Sequence, residues 1–513
     1  MTVRWGRVDA KWLYAVASGI LLALSFPKYG SGVVAWIALV PLLRALKDEA
    51  VGARKGFFLG LACGFIAYVG IIYWITYVVV HYGYLPYWMG IGATVILSAY
   101  LAVYIALFAA GVAVLRQRGV PPVLSAPLLW TSLEYAKSVL LTGFPWENLG
   151  YSQYLNTYLV QIADITGVAG ITFLIVLTNA ILADMPEIKE DRKRVTVQFA
   201  AGVVLIAAAN GYGLWRLDRI EKALAQAPAM DVTLVQGNIE QDIKWNPSYQ
   251  KGTIDVYRRF SLENPTKGGL IVWPETAMPF FFQDMTEMRQ AVAGVARETG
   301  SMLLFGSPAY KRKDSDIVLY NSAYLLSPEG DAVGRYDKVH LVPFGEYVPL
   351  RKLLPFMSKI VVGVGDFATG PGFVPIAGGK HKLGVLICYE GILAEAGRDY
   401  KRAGADLLVN ITNDAWFGNT SAPYQHLSMA TLRAVETRLT MVRAANTGIT
   451  AIIDPAGRIV DRTPIFTRCK LTGKIKFIDE ATLYGAYGDI FIYLNIFMMT
   501  AMLGYAVKKG GTK

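Results

Sequence analysis

Eight mostly apolar runs dominate this sequence, near residues 10–26, 31–46, 56–80, 87–115, 121–139, 156–183, 196–215 and 488–507. A helix crosses the hydrocarbon core of a bilayer in about 20 apolar residues, so each run is a candidate span and together they predict a membrane bundle. The first two, "WLYAVASGILLALSFP" and "SGVVAWIALVPLLRAL", are short, and a hairpin that does not cross would look similar. The first is read as a span, because no small-residue cleavage site followed by a soluble domain appears, as a signal peptide would require. Composition agrees, since 54% hydrophobic and 17% charged residues are too apolar for an ordinary soluble chain of 513 residues.

The runs also set the expected domains. Residues 1–215 hold seven spans, residues 216–487 have the mixed composition of a globular domain, and 488–513 form a last span and tail. Positive charge gives the orientation, since short cytoplasmic loops are enriched in Lys and Arg. Arg4, Arg7 and Lys11 precede the first run; Arg44, Lys47, Arg54 and Lys55 lie between the second and third; Arg116 and Arg118 follow the fourth. Lys189, Arg192, Lys193 and Arg194 follow the sixth, and Lys508, Lys509 and Lys513 end the chain, whereas the alternate short loops carry Lys28 and Lys137. Both termini are therefore expected in the cytoplasm and the large domain outside it. The net charge of +11 is read as topology, and no nucleic-acid partner is expected, because no basic run is interleaved with aromatics.

Within 216–487, β-branched runs alternate with amphipathic stretches, an α/β pattern. The expected strands are "DVTLVQGN", "GGLIVWPE", "SMLLFGSP", "NSAYLLSP", "GVLICYE", "ADLLVNIT" and "GITAIIDP". Helices are predicted over 283–299 and over 421–444, where Leu427, Met429, Leu432, Val435, Leu439 and Val442 recur at helical spacing. The turns "SPEGD" and "DPAGR" read as hairpins.

The chain has three cysteines, Cys63, Cys388 and Cys469, too few for a disulfide framework, and no Cys or His pair shows metal-ligand spacing. Cys388 ends the apolar strand "GVLICYEG", where a lone thiol is by default a small core residue. Three other segments argue otherwise. "IVWPETAMP" ends a strand with Glu275, "GRYDKVHLVPFGEYVP" carries Lys338 and Glu346, and "LVNITNDAWFG" places Asn413, Asp414 and Trp416 after another strand. Each polar group follows a strand, so they can converge at one sheet edge. A thiol needs a base to become a nucleophile at neutral pH, which Glu275 could supply, and Lys338 could stabilise the thiolate and then an oxyanion. A structural Glu275–Lys338 ion pair is the plainer alternative. Histidine is the weaker candidate for the base: His81 sits in a membrane-edge loop, His381 is expected to be exposed, and His340 and His426 have no obvious carboxylate partner in the sequence.

The segments "WPETAMP", "YDKVHLVPFGEYVP", "GVLICYEG" and "NITNDAWFG" resemble, in order and spacing, the Glu-Lys-Cys signature of the nitrilase-like carbon-nitrogen hydrolases. Fused to seven preceding spans and one following, and with "LSFPKYG", "LTGFPWENLGYSQ" and "VQGNIEQDIKW", the whole chain resembles the apolipoprotein N-acyltransferase family. That resemblance implies an α-β-β-α sandwich on an eight-helix transmembrane bundle in the bacterial inner membrane, with the catalytic domain periplasmic. It implies Glu275 as general base, Lys338 as oxyanion-stabilising lysine and Cys388 as nucleophile. Glu346 would support the lysine or base, Tyr389 and Glu390 would follow the nucleophile, and Trp245 and Trp416 would be supporting or substrate-binding aromatics. The implied reaction is ping-pong transfer of the sn-1 acyl chain of a phospholipid, phosphatidylethanolamine by expectation, through a Cys388 thioester to the N-terminal amine of a diacylated apolipoprotein. No metal or other cofactor is implied.

Two other classes keep the same residues in view. A membrane-tethered amidase would use water as acceptor, and a transporter or receptor would want ionisable groups inside the spans, where boundary positions such as Glu134 and Lys137 are the main examples. Tyr73, Trp74, Tyr77, Tyr82, Tyr84, Tyr87 and Trp88 read as an interfacial belt, and Glu147 as a solvated loop acid. Cys63 and Cys469 are read as non-catalytic. A Cys388–Cys469 disulfide is conceivable in an oxidising compartment but would consume the nucleophile.

Overall fold

The structure is a computed structural model that describes residues 9–265, 267–313, 316–343, 345–347 and 367–510. Arg4, Arg7 and Lys513 of the charge pattern, and Phe344, Val348 and Pro349 of the lysine motif, lie outside the described residues. Contacts divide the chain into two compact units, one of residues 1–76, 87–215 and 489–513, the other of 77–86 and 216–488.

Five helices of the described residues are long and apolar enough to cross a membrane: Ala53–Ile72, Tyr87–Gln117, Val168–Lys189, Arg192–Gln226 and Ile490–Lys508. Ala10–Ala23 and Gly32–Leu46 are shorter apolar segments, and the 121–139 run is the helix Pro122–Val139, which carries Glu134 and Lys137. Two expected runs are interrupted. The 56–80 run stops at Ile72 and a separate helix, Trp74–His81, begins; the 156–183 run is made of short turns up to Gly167, whose φ of +63° precedes the helix Val168–Asp184. The helix after Arg192 continues to Gln226, through the composition boundary near 215.

Small residues bring the first unit's longest helices together. Gly56, Gly60 and Gly64, four apart on one face of Ala53–Ile72, meet Ala102, Ile105 and Ala109 of Tyr87–Gln117, and a Cβ on Gly60 would lie 2.5 Å from the Ile105 carbonyl oxygen. Close backbone approach of this kind replaces the hydrophobic effect as the source of helix association in lipid.

Among the described residues, the second unit contains two six-stranded sheets. The first is ordered β12-β1-β2-β3-β4-β5, from Cys469–Lys476 (β12), Ala229–Gln236 (β1), Leu270–Val272 (β2), Met302–Lys313 (β3), Asp316–Leu326 (β4) and Ala332–Asp337 (β5). The second is ordered β11-β10-β9-β8-β7-β6, from Ile459–Arg462 (β11), Ala451–Ile453 (β10), Thr440–Ala445 (β9), Leu407–Thr412 (β8), His381–Ile387 (β7) and Ile376–Gly378 (β6). They contact each other where β1 meets β9 and β4 meets β7. Helices Pro247–Leu262 and Glu287–Thr299 cover the first sheet, and Ala394–Arg402 and Ala422–Thr437 lie against the second, giving an α-β-β-α order of layers.

Local sequence explains the helix ends. Asn246 caps Pro247–Leu262 by accepting from Ser248 N at 3.0 Å, with Pro247 at the first helical position, where its missing N–H costs nothing. Thr286 caps Glu287–Thr299, and Gly300 ends it in the left-handed conformation. Beneath these helices Trp273 is fully buried, stacks on Tyr257 at 5.3 Å and donates its indole N–H to Ser261 Oγ at 2.9 Å.

The helix predicted over 421–444 ends at Thr437. Arg438 turns left-handed with φ +55°, and the chain continues as β9, buried along its whole length. A strand covered on both faces reads as a continuous apolar run, which periodicity does not separate from a helix. The strands absent from the sequence reading include the polar edges β11 and β12, where charge discourages pairing with other chains.

Candidate active site

Cys388 follows the last residue of β7 and starts a short helical turn, Cys388–Ile392, with φ +55°. That value lies in the left-handed region that non-glycine residues rarely adopt. Glu390 anchors this turn to the lysine segment. Its Oε2 accepts from Ile387 N at 2.8 Å, while Oε1 accepts from Tyr336 Oη at 2.9 Å, Val339 N at 2.7 Å and His340 N at 2.9 Å.

Glu275 stands three residues beyond β2. The next residue, Thr276, has φ +45°, and β3 passes so closely behind that a Cβ on Gly306 would lie 2.4 Å from Thr276 N, so glycine is needed there. The Glu275 carboxyl is oriented from two sides, Oε1 accepting from Asn321 Nδ2 at 2.8 Å and Oε2 from Asn413 N at 2.9 Å. Behind it the fully buried Lys244 donates to the Glu275 carbonyl oxygen at 3.1 Å and to Thr276 Oγ1 at 2.7 Å.

Lys338 follows β5 and bonds the Asn321 carbonyl through its backbone N–H at 2.9 Å. Its Nζ lies 2.7 Å from Glu346 Oε2, so among the described residues the lysine pairs directly with Glu346. Asn321 Nδ2 also donates to Glu346 Oε1 at 2.9 Å, which makes one amide the bridge between the two glutamates.

Burial shapes the electrostatics. It pushes the Cys388 thiol up to about 12, with the Glu275 carboxylate adding to the rise and the Lys338 ammonium opposing it. It also lifts Glu275 above the ordinary carboxylate range, against the pull of Lys338. Lys338 is also raised, but for a different reason: burial disfavours its charge, and Glu346 and then Glu275 overcome this and hold the ammonium well above the ordinary lysine range. Burial brings Lys244 down to about 7, Glu275 pulling it back. The set thus joins a protonated thiol, a carboxyl whose proton affinity burial has raised and a fixed cation.

The structure gathers Glu275, Lys338, Glu346, Cys388 and Glu390 into this set. Tyr389, half-buried, stacks on His340 at 5.6 Å between centroids. Trp245, also half-buried, ends the short helix that carries Lys244. Trp416 lies in the loop after Asn413 and packs edge-on against Tyr82 at 4.7 Å, while Tyr82 Oη donates to the Ala415 carbonyl at 2.8 Å. Gly418 of this loop sits against the ring of Tyr77, where a Cβ would lie 2.4 Å away. Tyr77 and Tyr82 therefore pack on the loop that orients Glu275, and Trp74 is buried, whereas Tyr84, Tyr87 and Trp88 are exposed.

The structure departs from the expectations of an exposed His381 and a solvated Glu147. His426 has a carboxylate neighbour, Asp414 Oδ1 at 3.1 Å, brought to it by folding rather than by sequence proximity. His381 is buried, pairs with Asp406 at 2.8 Å and stacks on Phe477. Glu147 is 3% exposed and so is no solvated acid; nearby Lys137, 1% exposed, donates to the Trp146 carbonyl. Cys388 and Cys469 are free thiols, and Cys469 begins β12. Sequence reading missed Asn321 and Lys244. Asn321 sits at the start of the expected strand "NSAYLLSP", and a polar residue on an otherwise buried strand was its available signal; Lys244 gave none, because a lysine in "QDIKW" reads as solvated.

The architecture and the site place the second unit with the nitrilase-like carbon-nitrogen hydrolases. Residues 231–477 match the carbon-nitrogen hydrolase family, and residues 18–181 match the apolipoprotein N-acyltransferase N-terminal domain. An apolipoprotein N-acyltransferase of Geobacter metallireducens is 48% identical over 489 residues, 94% of this chain and 92% of the relative. That of Pasteurella multocida is 31% identical over 503 residues, 96% of this chain and 95% of the relative. Among solved structures, a carbon-nitrogen hydrolase from Helicobacter pylori is similar at 16% identity and TM-score 0.38, over 48% of this chain and 90% of that one. The chain belongs to the apolipoprotein N-acyltransferase family, and it is an acyltransferase.

Proposed function

We propose that this acyltransferase works by covalent catalysis at Cys388, with Glu275 as general base and acid and Lys338 as the oxyanion partner. The observation that carries the reading is geometric: Glu390 ties the left-handed turn at Cys388 to the segment of Lys338, Lys338 pairs with Glu346 at 2.7 Å, and the Asn321 amide joins Glu346 to Glu275. Glu275 takes the Cys388 proton as the sulfur attacks the sn-1 ester carbonyl of a phospholipid. Lys338 stabilises the oxyanion, the ester C–O bond breaks, and Glu275 returns the proton to the departing glycerol oxygen, releasing lysophospholipid and leaving a thioester. The neutral amine of a diacylglyceryl-cysteine then attacks the thioester and passes a proton to Glu275; the C–S bond breaks, and the thiolate recovers the proton. Splitting the transfer lets two bulky amphiphiles use the site in turn.

The membrane reading is that eight segments span a bacterial inner membrane, with both termini in the cytoplasm and the catalytic domain periplasmic. In this reading 1–215 and 488–513 form the bundle and its tail, 216–487 the catalytic domain, and phosphatidylethanolamine the acyl donor. Trp245, Trp416, Tyr389 and Glu390 support or contact substrate. Its support is the charge distribution along the sequence and the apolar helices. The test is reconstitution in vesicles with and without phosphatidylethanolamine, following conversion of a diacylated lipoprotein to the triacylated form together with lysophospholipid release. Stoichiometric appearance of both products is expected with phosphatidylethanolamine; acyl transfer at the same rate in its absence would contradict the donor assignment.

A further inference from the structure

The strained backbone of Cys388 has a support that can be traced atom by atom. Its carbonyl oxygen accepts from His426 Nε2 at 3.1 Å and from Asn410 Nδ2 at 3.3 Å. Arg443 has only donors, so its contact through Nη1 fixes the Asn410 amide with the oxygen toward Arg443 and the nitrogen toward the carbonyls of Cys388 and Leu386. Arg443 Nη2 lies 2.8 Å from Asp414 Oδ2 and 3.1 Å from His426 Nδ1. Carbonyl, imidazole, guanidinium and amide thus close a ring of hydrogen bonds, and His426, Arg443, Asn410 and Asp414 are all 0% exposed.

The ring also fixes the histidine tautomer. A carbonyl can only accept, so Nε2 must carry a proton. Nδ1 faces both a donor, Arg443, and an acceptor, Asp414 Oδ1, and the charge state decides between them. Burial and the neighbouring Arg443 charge hold His426 below the ordinary histidine range, so the ring is neutral and Nδ1 accepts from Arg443.

We propose that His426 is a positioning residue for acyl transfer: as the neutral Nε2–H tautomer it fixes the Cys388 carbonyl, and with it the left-handed turn that aims the thiol, while moving no proton itself. The inference rests on reading Cys388 as the nucleophile. A small misplacement of a reacting atom is enough to slow catalysis by roughly 10- to 100-fold, so loss of this clamp reports in kcat while KM for phospholipid stays near the wild-type value.

The experiment compares the full-length protein with His426→Leu and His426→Gln, measuring the rate of the acyl adduct at Cys388, its pH profile and the melting temperature. The glutamine amide nitrogen can occupy the position of Nε2. His426→Leu is expected to lower the acylation rate constant about 10-fold or more, with KM near wild type, and His426→Gln to restore most of it with an unchanged pH profile. A leucine variant as fast as wild type, or a folded glutamine variant as slow as leucine, would overturn the proposal. Should the leucine variant not fold, 15N chemical shifts of His426 in the wild type decide: the neutral Nε2–H form at neutral pH is expected, and an imidazolium or Nδ1–H form contradicts it. Absence of a Cys388 adduct in the wild type would instead defeat the nucleophile reading, a result distinguishable from these.

Discussion

Lys338 and Glu346 form a buried ion pair, Nζ to Oε2 at 2.7 Å, with the lysine side chain 1% exposed and the carboxylate 13%. Raised above its unfolded value by Glu346 and Glu275, Lys338 contributes stability that is present throughout the neutral range and lost only as pH rises through its folded pKa. Glu346→Gln removes the larger of the two supporting charges. The expected result is a loss of about 3–5 kcal/mol in denaturant unfolding, as for other broken buried pairs, and an alkaline limb of kcat/KM that moves to lower pH. Lys338→Met should reduce acylation by roughly 10²- to 10³-fold, the scale of a lost oxyanion donor.

As the proposed base, Glu275 should set the pH at which the thiol can react. With Cys388 pushed up to about 12, spontaneous thiolate is scarce at neutral pH, so alkylation by iodoacetamide should rise as Glu275 ionises, at a pH above the ordinary carboxylate range, and then level off. In Glu275→Gln that limb should vanish. A single rise should remain at high pH, somewhat below 12, because the Glu275 charge no longer helps to hold the thiol up. An unchanged lower limb in the glutamine variant would exclude Glu275 as the base.

Lys244 predicts a different pH signature. Its folded pKa of about 7 lies below the unfolded value of about 10.4, so between these the unfolded chain binds more protons and stability rises with pH. Lys244→Met should lack this rise when unfolding is compared at pH 7 and pH 9.5. It should also slow acylation, because the turn behind Glu275 loses hydrogen bonds at its carbonyl and at Thr276 Oγ1. Equal pH slopes for both proteins would count against the assignment.

Topology is tested by reporters at two sites. A reporter that is active only outside the cytoplasm, inserted beside Glu329 in the exposed β4–β5 hairpin, should be active, and the same reporter fused after Lys513 should be silent. The reverse pattern would invert the orientation read from the Lys and Arg distribution.

How far the sequence could be read depended on what each residue's role required. Glu275 and Cys388 each follow an expected strand, and the seven expected strands fall on strands of the two sheets, because apolar runs bounded by turns are local signals; Lys338 follows β5, which was not among them. The hairpins at "SPEGD" and "DPAGR" join antiparallel pairs for the same reason. Asn321 is different: its amide meets Glu275 from 46 positions away in the chain, and only sheet register places it. The link from Asp414 and Arg443 to His426 arises in the same way, through adjacent strands and the helix that covers them. β9 was hidden by its burial on both faces, and Tyr77 and Tyr82 carried no mark separating them from the exposed aromatics nearby.

In the proposed mechanism the acyl chain is held on Cys388 between donor and acceptor. Intact-mass analysis of the full-length protein after incubation with phospholipid vesicles, followed by peptide mapping, measures this directly. One acyl adduct on the peptide containing Cys388 is predicted for the wild type, discharged by addition of a diacylated lipoprotein, and none for Cys388→Ala or Cys388→Ser, since a glutamate base and a lysine partner suit a thiolate and not an alkoxide. A Cys388→Ala protein that still becomes acylated and still converts diacylated to triacylated lipoprotein at the wild-type rate would contradict the account.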